Sequence, residues 1–307
     1  MRFFYFSKTQ LVQASLEEIK EKTGTFCIIT KKEAQNIAQF LEYPNVILSM
    51  LQKSDEIVKE EVYEQYSLGT LERITWKNGH YEADFLDFVL SKNQLVVMIP
   101  HDYIWLDEWS KRLNEEETSH TLGYLFYRLL DCLLSEDQSY LDEMEYRLES
   151  LEEDILNEKE GNFIHTLIHM RRQIARFKKH YYPLTDLVEN LLSGENEPPY
   201  NENKRYFKIL ANRINRYNHM IDAIDEYATH VREAYDAGVD IKQNRMMKYF
   251  TLVTTLFFPL TVIVGWYGMN FESMPEVTWK YGYLYVIIIS VLSSVICLWC
   301  FKKKKWL

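Results

Sequence analysis

Two stretches without a single charged side chain close this sequence, Tyr249 to Phe271 and Tyr281 to Phe301, and they constrain the chain more than any other feature. Each reaches the roughly 20 apolar residues that a helix needs to cross hydrocarbon. A backbone in hydrocarbon must satisfy its own polar groups, so both runs are expected as helices. The expected layout is a first span at about 247–268, an outer loop at 269–281, a second span at about 282–301 and a basic tail at 302–307. Lys302 to Lys305 follow the second span directly, and basic residues beside a span mark the cytoplasmic face. The C-terminus is therefore expected inside the plasma (cell inner) membrane. Two crossings bring the large N-terminal part to the same side, with the connector facing outward.

Charge is divided unevenly along the chain. The net charge is −10, yet Lys280 and the four closing lysines against Glu272 and Glu276 leave the stretch from Tyr249 onward at +3. Residues 1–248 thus carry −13, which disfavours nucleic acid as a partner and gathers mobile cations. The apolar start Met1-Arg2-Phe3-Phe4-Tyr5-Phe6 gives way at once to Ser7, Lys8 and Gln10, so it reads as a strand and not as a cleavable leader. Cys27, Cys132, Cys297 and Cys300 fit a reducing compartment. The Cys297-x-x-Cys300 spacing lies inside an apolar helix and reads as packing.

The first hundred residues alternate between strand-like and helix-like patterns. Strands are expected at Phe3 to Phe6, Phe26 to Thr30, Leu71 to Trp76, Ala83 to Leu90 and Leu95 to Ile99, with Asn78-Gly79 as a hairpin turn. Helices are expected at Lys31 to Leu41 and Ser54 to Tyr66. From Thr118 to Leu134 the pattern becomes amphipathic helix. A seven-residue rhythm then runs through Leu141, Met144, Leu148, Leu151 and Ile155. It breaks at Asn157 to Asn162 and resumes from Leu167 through Ile174, Phe177, Tyr181 and Val188 to Leu191. After Gly194, Pro198 and Pro199 a last helix starts near Asn203, its seam running from Phe207 to Tyr235. Nothing stops it before the first span, so one helix of roughly 100 Å is expected from Asn203 to Gly268. The fold class is α+β with a membrane part. A mixed α/β cytoplasmic domain (1–135) leads to antiparallel acidic helices and a stalk (136–243), then two transmembrane helices (244–307).

The first span has a distinct face. A heptad frame gathers Asn244, Met247, Thr251, Thr254, Phe258, Thr261, Gly265 and Gly268 on one line, while the remaining positions are greasier. Such a stripe serves either close helix packing or water. Asn244 and Asn270 at its two ends favour water, because carboxamides within a membrane need partners. Pro259 bends the helix and frees a carbonyl, which neighbours or water must satisfy. Bulky Met247, Phe250 and Phe258 could close an opening by expelling water. A single chain with two spans cannot enclose a pore, so several copies are required.

Tyr267-Gly268-Met269-Asn270 followed by Met274-Pro275-Glu276, two C-terminal spans and the closing Lys302-Lys303-Lys304-Lys305-Trp306-Leu307 resemble the CorA family of magnesium channels. The resemblance is densest from Asn244 to the end. It implies a homopentamer whose stalk and first span line a central pore. It also implies that Gly268, Met269 and Asn270 select a hydrated ion. Pore-lining positions carried over are Asn244, Met247, Phe250, Phe258, Thr261 and Gly265, with Phe250 and Phe258 bulkier than is usual in the family, and the heptad face adds Thr251 and Thr254. Glu272 and Glu276 would draw cations to the outer mouth. The implied cargo is Mg2+, which sheds water reluctantly and suits a ring of neutral oxygens. Ile209 stands where the family's pattern carries a stalk aspartate that helps bind a regulatory divalent ion, so no regulatory metal ligands are assigned.

Three other readings stay open on the sequence. Cobalt, nickel or zinc transport on the same scaffold is one, with His165 and His169 at i, i+4 as a transition-metal pair. A membrane-anchored coiled-coil sensor is another. Divalent feedback at the acidic run Glu149, Glu152, Glu153 and Asp154 is a third, against an ordinary solvated face. Enzymatic function is not expected. No G-x-x-x-x-G-K-[ST] loop is present, and His101, Asp102, Asp84 and Asp87 form no catalytic set. No resident cofactor is expected.

Overall fold

A computed structural model describes residues 2–7, 10–20, 22, 24–34, 58–77, 80–115, 121–159, 161–193, 203–269, 274–275 and 279–304. Seven strands form one sheet: β1 (Arg2–Ser7), β2 (Gln10–Ala14), β3 (Thr25–Thr30), β4 (Lys59–Val62), β5 (Tyr66–Lys77), β6 (His80–Ser91) and β7 (Gln94–Ile99). Their spatial order is β2-β1-β3-β7-β6-β5-β4. Only β3 and β7 run parallel; the other neighbours are antiparallel. A short α1 (Leu16–Lys20) lies between β2 and β3.

Strand alternation gives the sheet two buried faces. Phe3, Cys27, Ile29, Leu68, Val89, Val96 and Met98 pack with Ile19 and Ala34 on one side. The opposite residues meet aromatic side chains: Phe26 stacks on Phe4 at 5.8 Å and meets Trp109 edge-on, while Phe88 lies 4.8 Å from Phe126. Trp109 belongs to α2 (Ile104–Glu115) and Phe126 to α3 (Leu122–Leu133). Thr121 caps α3 by accepting from the Tyr124 amide at 3.2 Å, and Asn203 donates to the same hydroxyl at 2.6 Å.

The helical part comprises α4 (Asp137–Leu156), α5 (Phe163–Ser193), α6 (Lys204–Tyr267) and α7 (Gly282–Lys303). The heptad positions are the buried ones. Leu141, Met144, Leu148 and Leu151 on α4 are sealed, as are Ile174, Phe177 and Tyr181 on α5 and Phe207, Ile214, Ile221 and Val231 on α6. Charge stitches the seam between α5 and α6, where Lys178 Nζ sits 3.0 Å from Asp222 and 2.8 Å from Asp225. Arg213 ties α6 to Asp131 of α3 at 2.6 Å. The chain divides into two compact units, one of residues 1–154 with 160–231, the other of 155–159 with 232–307. In the second, Arg245 lies 3.8 Å from Glu158.

The five expected strands are present, each longer than expected and β5 and β6 by several residues, and α6 runs unbroken through Gly238 and Pro259. One expectation is overturned. Ser54 to Tyr66 was expected as a helix, yet Lys59–Val62 is edge strand β4 and Tyr66 opens β5. The charged Lys59-Glu60-Glu61 run imitates an exposed helix, but charges are also how a sheet edge is kept from pairing with other chains. Strand β2 and helix α2 were not anticipated. Of the expected helix from Lys31 to Leu41, Lys31–Ala34 is helical and the remainder lies outside the described residues, as does the Asn78-Gly79 turn.

Two glycines show opposite constraints. A Cβ at Gly69 would stand 2.2 Å from the Lys59 carbonyl oxygen and 2.7 Å from the Phe88 ring, whereas one at Gly238 would meet nothing within 4 Å. Gly69→Ala is therefore expected to destabilise the protein by about 1–3 kcal/mol. Gly238→Ala is expected to stabilise α6 by about 0.5–1 kcal/mol. Thermal unfolding of the detergent-solubilised chain, followed by circular dichroism, checks both signs.

Candidate pore-lining helix and outer mouth

Both C-terminal helices leave their apolar side chains uncovered by the rest of the chain. Val253, Phe257, Val264 and Trp266 on α6, and Ile288, Val291, Leu292 and Ile296 on α7, are each more than half exposed. A contiguous apolar surface of this extent needs lipid or other copies around it. The membrane-length stretch of α6 has a mean hydropathy of 1.7 and that of α7 one of 2.5. Aromatic residues bracket them: Trp279 lies 6.0 Å from Tyr281 and 6.2 Å from Tyr285, and Lys303 Nζ rests 5.2 Å above the Trp299 ring. Amphipathic rings and snorkelling lysines belong at membrane–water boundaries.

At about 100° per residue, Asn244, Met247, Phe250, Thr251, Thr254, Phe258, Thr261, Gly265 and Gly268 fall within about a third of the circumference of α6. Every one is exposed, Phe250 at 72% and Phe258 at 71%. The threonines donate inward along their own helix: Thr251 Oγ1 to the Met247 carbonyl at 2.8 Å, Thr254 Oγ1 to Phe250 at 2.8 Å and Thr261 Oγ1 to Phe257 at 2.9 Å. Their protons are committed, so each hydroxyl presents only acceptor lone pairs outward. The stripe offers neutral oxygens and large apolar side chains, with no fixed charge.

Pro259 leaves the Thr255 carbonyl without its amide partner. Cys297 Sγ on α7 stands 3.9 Å from that oxygen and donates to it. A thiol is a weak donor, but within hydrocarbon an unmet carbonyl is costly. Sequence reading treated Cys297 as packing. Its position opposite the gap left by Pro259 emerges only when the two helices are side by side.

The helix ends at Tyr267, and Gly268 makes the turn that follows. Its amide donates to the Val264 carbonyl at 2.8 Å, and a Cβ would also lie 2.8 Å from that oxygen. This close turn needs glycine. Met269 follows, half exposed, its amide donating to the Trp266 carbonyl at 3.3 Å. Asn270, Glu272 and Glu276 lie outside the described residues.

The remaining candidates are dispersed. His165 and His169 are exposed on α5, and among the described residues no group of three or more His, Cys, Asp or Glu side chains converges to hold a metal ion. Glu152 accepts from Tyr227 Oη at 2.6 Å, while Glu149 and Glu153 face solvent. Ile209 is exposed on α6. Asp84 accepts from the Trp105 indole at 2.9 Å; Asp87 accepts from Thr70 Oγ1 at 2.7 Å and pairs with Lys31 at 2.7 Å. Both are tied into the sheet domain.

Fold and surface together define a polytopic α-helical membrane protein with a large mixed α/β and helical domain. Residues 26–303 match the family described as CorA-like Mg2+ transporter protein, and the chain belongs to that family. It is 27% identical to the cobalt/magnesium transport protein CorA of Thermotoga maritima, covering 98% of this chain and 88% of that one. Against the magnesium transport protein CorA of Helicobacter pylori, identity is 40% over 25% of this chain and 24% of that one. Among solved structures, the complete CorA magnesium transporter of Methanocaldococcus jannaschii has a TM-score of 0.84 at 19% identity, covering 100% of this chain and 98% of that one. The full-length CmaX protein has a TM-score of 0.78 at 15% identity, with the same coverages.

If the stripe borders water, cysteines placed on it will react with a hydrophilic thiol reagent. In a Cys297→Ser, Cys300→Ser background, Thr251→Cys, Thr254→Cys and Thr261→Cys are expected to label above the parent protein. Val253→Cys, Leu260→Cys and Ile263→Cys are expected to stay unlabelled. Equal labelling of the two sets, read by mass spectrometry, contradicts a wet face.

Proposed function

We propose that the protein is a homopentameric channel that takes up hydrated Mg2+ through the plasma membrane, driven by the membrane potential. Its parts would be a cytoplasmic α/β domain at 1–135, acidic helices and stalk at 136–243, and a pore domain at 244–307, with both termini in the cytoplasm. The observation that carries this reading is the uncharged stripe of acceptor oxygens ending at the glycine turn of Gly268, in a chain of this family. Five copies would bring five such stripes around one axis and leave the greasier faces to lipid and to α7.

Gly268, Met269 and Asn270 would form the selectivity filter. A bare Mg2+ demands near-ideal oxygen geometry and gives up water reluctantly, so neutral carbonyl and carboxamide oxygens suit an ion that keeps its shell. Glu272 and Glu276 would raise the cation concentration at the mouth. Below it, Asn244, Met247, Phe250, Thr251, Thr254, Phe258, Thr261 and Gly265 would line the conduit. Apolar Met247, Phe250 and Phe258 would close it by dewetting. An inside-negative potential of about 100 mV supplies about 2.3 kcal/mol per charge, hence about 4.6 kcal/mol for a divalent ion, which needs no ATP machinery. Mg2+ is the cargo and, in this reading, also the intracellular feedback signal; resident cofactors are not required.

Co2+ is a second cargo to consider, because the Thermotoga maritima relative is called a cobalt/magnesium transport protein. The test is direct. Purified protein is reconstituted into liposomes holding a magnesium dye, an inside-negative potential is imposed, and Mg2+ and Co2+ are offered separately. Influx that grows with potential is expected, falling to background in Asn270→Ala. Equal influx with Asn270→Ala removes the proposed filter. Native mass spectrometry of the solubilised complex is expected at five times 36.9 kDa.

A further inference from the structure

Three pairs of adjacent polar residues meet beside β5: Glu72 and Arg73 on the strand itself, Glu136 and Asp137 at the turn into α4, and His180 and Tyr181 midway along α5. Each pair reaches both of the others. His180 Nδ1 lies 3.1 Å from Glu72 Oε2, Arg73 Nη2 donates to Glu136 Oε1 at 2.9 Å, and Tyr181 Oη donates to Asp137 Oδ2. Three elements distant in sequence are thereby joined pairwise in a closed triangle. Asp137, His180 and Tyr181 are all but sealed from solvent, at 0%, 2% and 0% exposure.

The triangle is incompletely satisfied. Asp137 Oδ1 and His180 Nε2 have no hydrogen-bond partner among the described residues. A buried carboxylate with one oxygen unmet is disfavoured, whereas the neutral acid in the same place needs fewer donors. The groups facing Asp137 are His180 and Tyr181 from α5, Arg73 from β5 and Glu136 from its own turn. Behind them, Glu72 engages His180, while Tyr217 and Arg213 of α6 face Tyr181. Arg73 is held by Glu136 and lies 5.0 Å over the Trp105 ring, and Arg213 is paired with Asp131. Neither guanidinium is left free to neutralise Asp137 alone.

We propose that this triangle is a proton-operated latch between the sheet and the helical hairpin, tight while Asp137 carries a proton and looser once that proton has passed to bulk water. Burial pushes the Asp137 carboxyl up to about 6, against the opposing pull of His180, the Tyr181 hydrogen bond and Arg73. An open, solvated aspartate titrates near about 3.9, so the closed form binds the proton more tightly than the open one. The closed form's advantage is complete below that open-state value and is lost as pH rises through about 6. Cytoplasmic acidification therefore stiffens the joint between the two layers of the first unit.

Hydrogen exchange tests this on the full chain in detergent, with rates corrected for intrinsic exchange, between about pH 5 and about pH 7.5. In the first turn of α4 and the middle of α5, local opening is expected to be about tenfold rarer at about pH 5 than at about pH 7. Asp137→Asn, an uncharged isostere, is expected to lose that dependence and to stay as protected as the parent at low pH. Tyr181→Phe withdraws a donor from the ionised carboxylate, so its step is expected at higher pH than the parent's. An Asp137→Asn protein that keeps the parent's pH dependence overturns the latch. So does a Tyr181→Phe protein whose step has not moved, which decides the matter should Asp137→Asn fail to fold. Neither readout involves ion flux, so the latch stands or falls separately from the proposed channel.

Discussion

Hydrocarbon offers a backbone no hydrogen bonds, and the C-terminal fifth of this protein follows from that single constraint. The two uncharged runs must be helical because nothing else satisfies a spanning backbone at so little cost. The same rule explains the details. Threonines on α6 spend their protons on carbonyls one turn back, and Cys297 faces the one carbonyl that Pro259 strands. Thr251, Thr254 and Thr261 enter this region with their donors already committed, which leaves their hydroxyls to present acceptor oxygens along the exposed stripe.

How far the sequence spoke depended on whether the information was local. The buried a/d seam of α4, α5 and α6 was legible because each position sees its partner through a short period, and Leu141, Phe177 and Ile214 are as sealed as the rhythm demands. The spans were legible for the same reason. Edge strand β4 was not, because Lys59-Glu60-Glu61 has the composition of a solvated helix and becomes a strand only by pairing with Ser67 to Thr70. Cys297 and Asp137 were equally opaque. One is explained by a proline 38 positions earlier, the other by residues on β5 and α5, and no short-range pattern announces either.

Fixed charge is distributed as though two requirements had been kept apart. Residues 1–248 hold a net −13, and several of their acids are engaged in named pairs: Asp222 and Asp225 with Lys178, Asp131 with Arg213, Asp87 with Lys31. These are stabilisers of packing, and surface members among them contribute little individually. The stripe on α6 holds no charge at all. A full carboxylate ring at a narrow passage would bind a divalent ion strongly enough to slow its release, whereas conduction needs sites that are easily left. In the proposed channel, neutral oxygens in the span with Glu272 and Glu276 kept to the connector would satisfy both demands.

The segment of α6 before the first span gives an independent reason for assembly. Burial on its seam ends at Val231, and from Asp236 to Phe250 every side chain is exposed. Within the chain this stretch has only scattered support, such as Arg232 with Asp236 at 3.8 Å and Arg245 with Glu158 at 3.8 Å. A helix exposed on all sides and weakened by Gly238 is marginal alone in water. Yet Val239 and Ile241 stand on it at 45% and 60% exposure, too apolar to be simple solvent-facing filler at this density. Identical helices arranged around an axis would cover them and supply the missing contacts, whereas a solitary anchor would leave the same stretch free to fray. Lipid can cover the apolar surface of the spans, but not Val239 and Ile241 ahead of them, so it is this stretch that favours the proposed assembly.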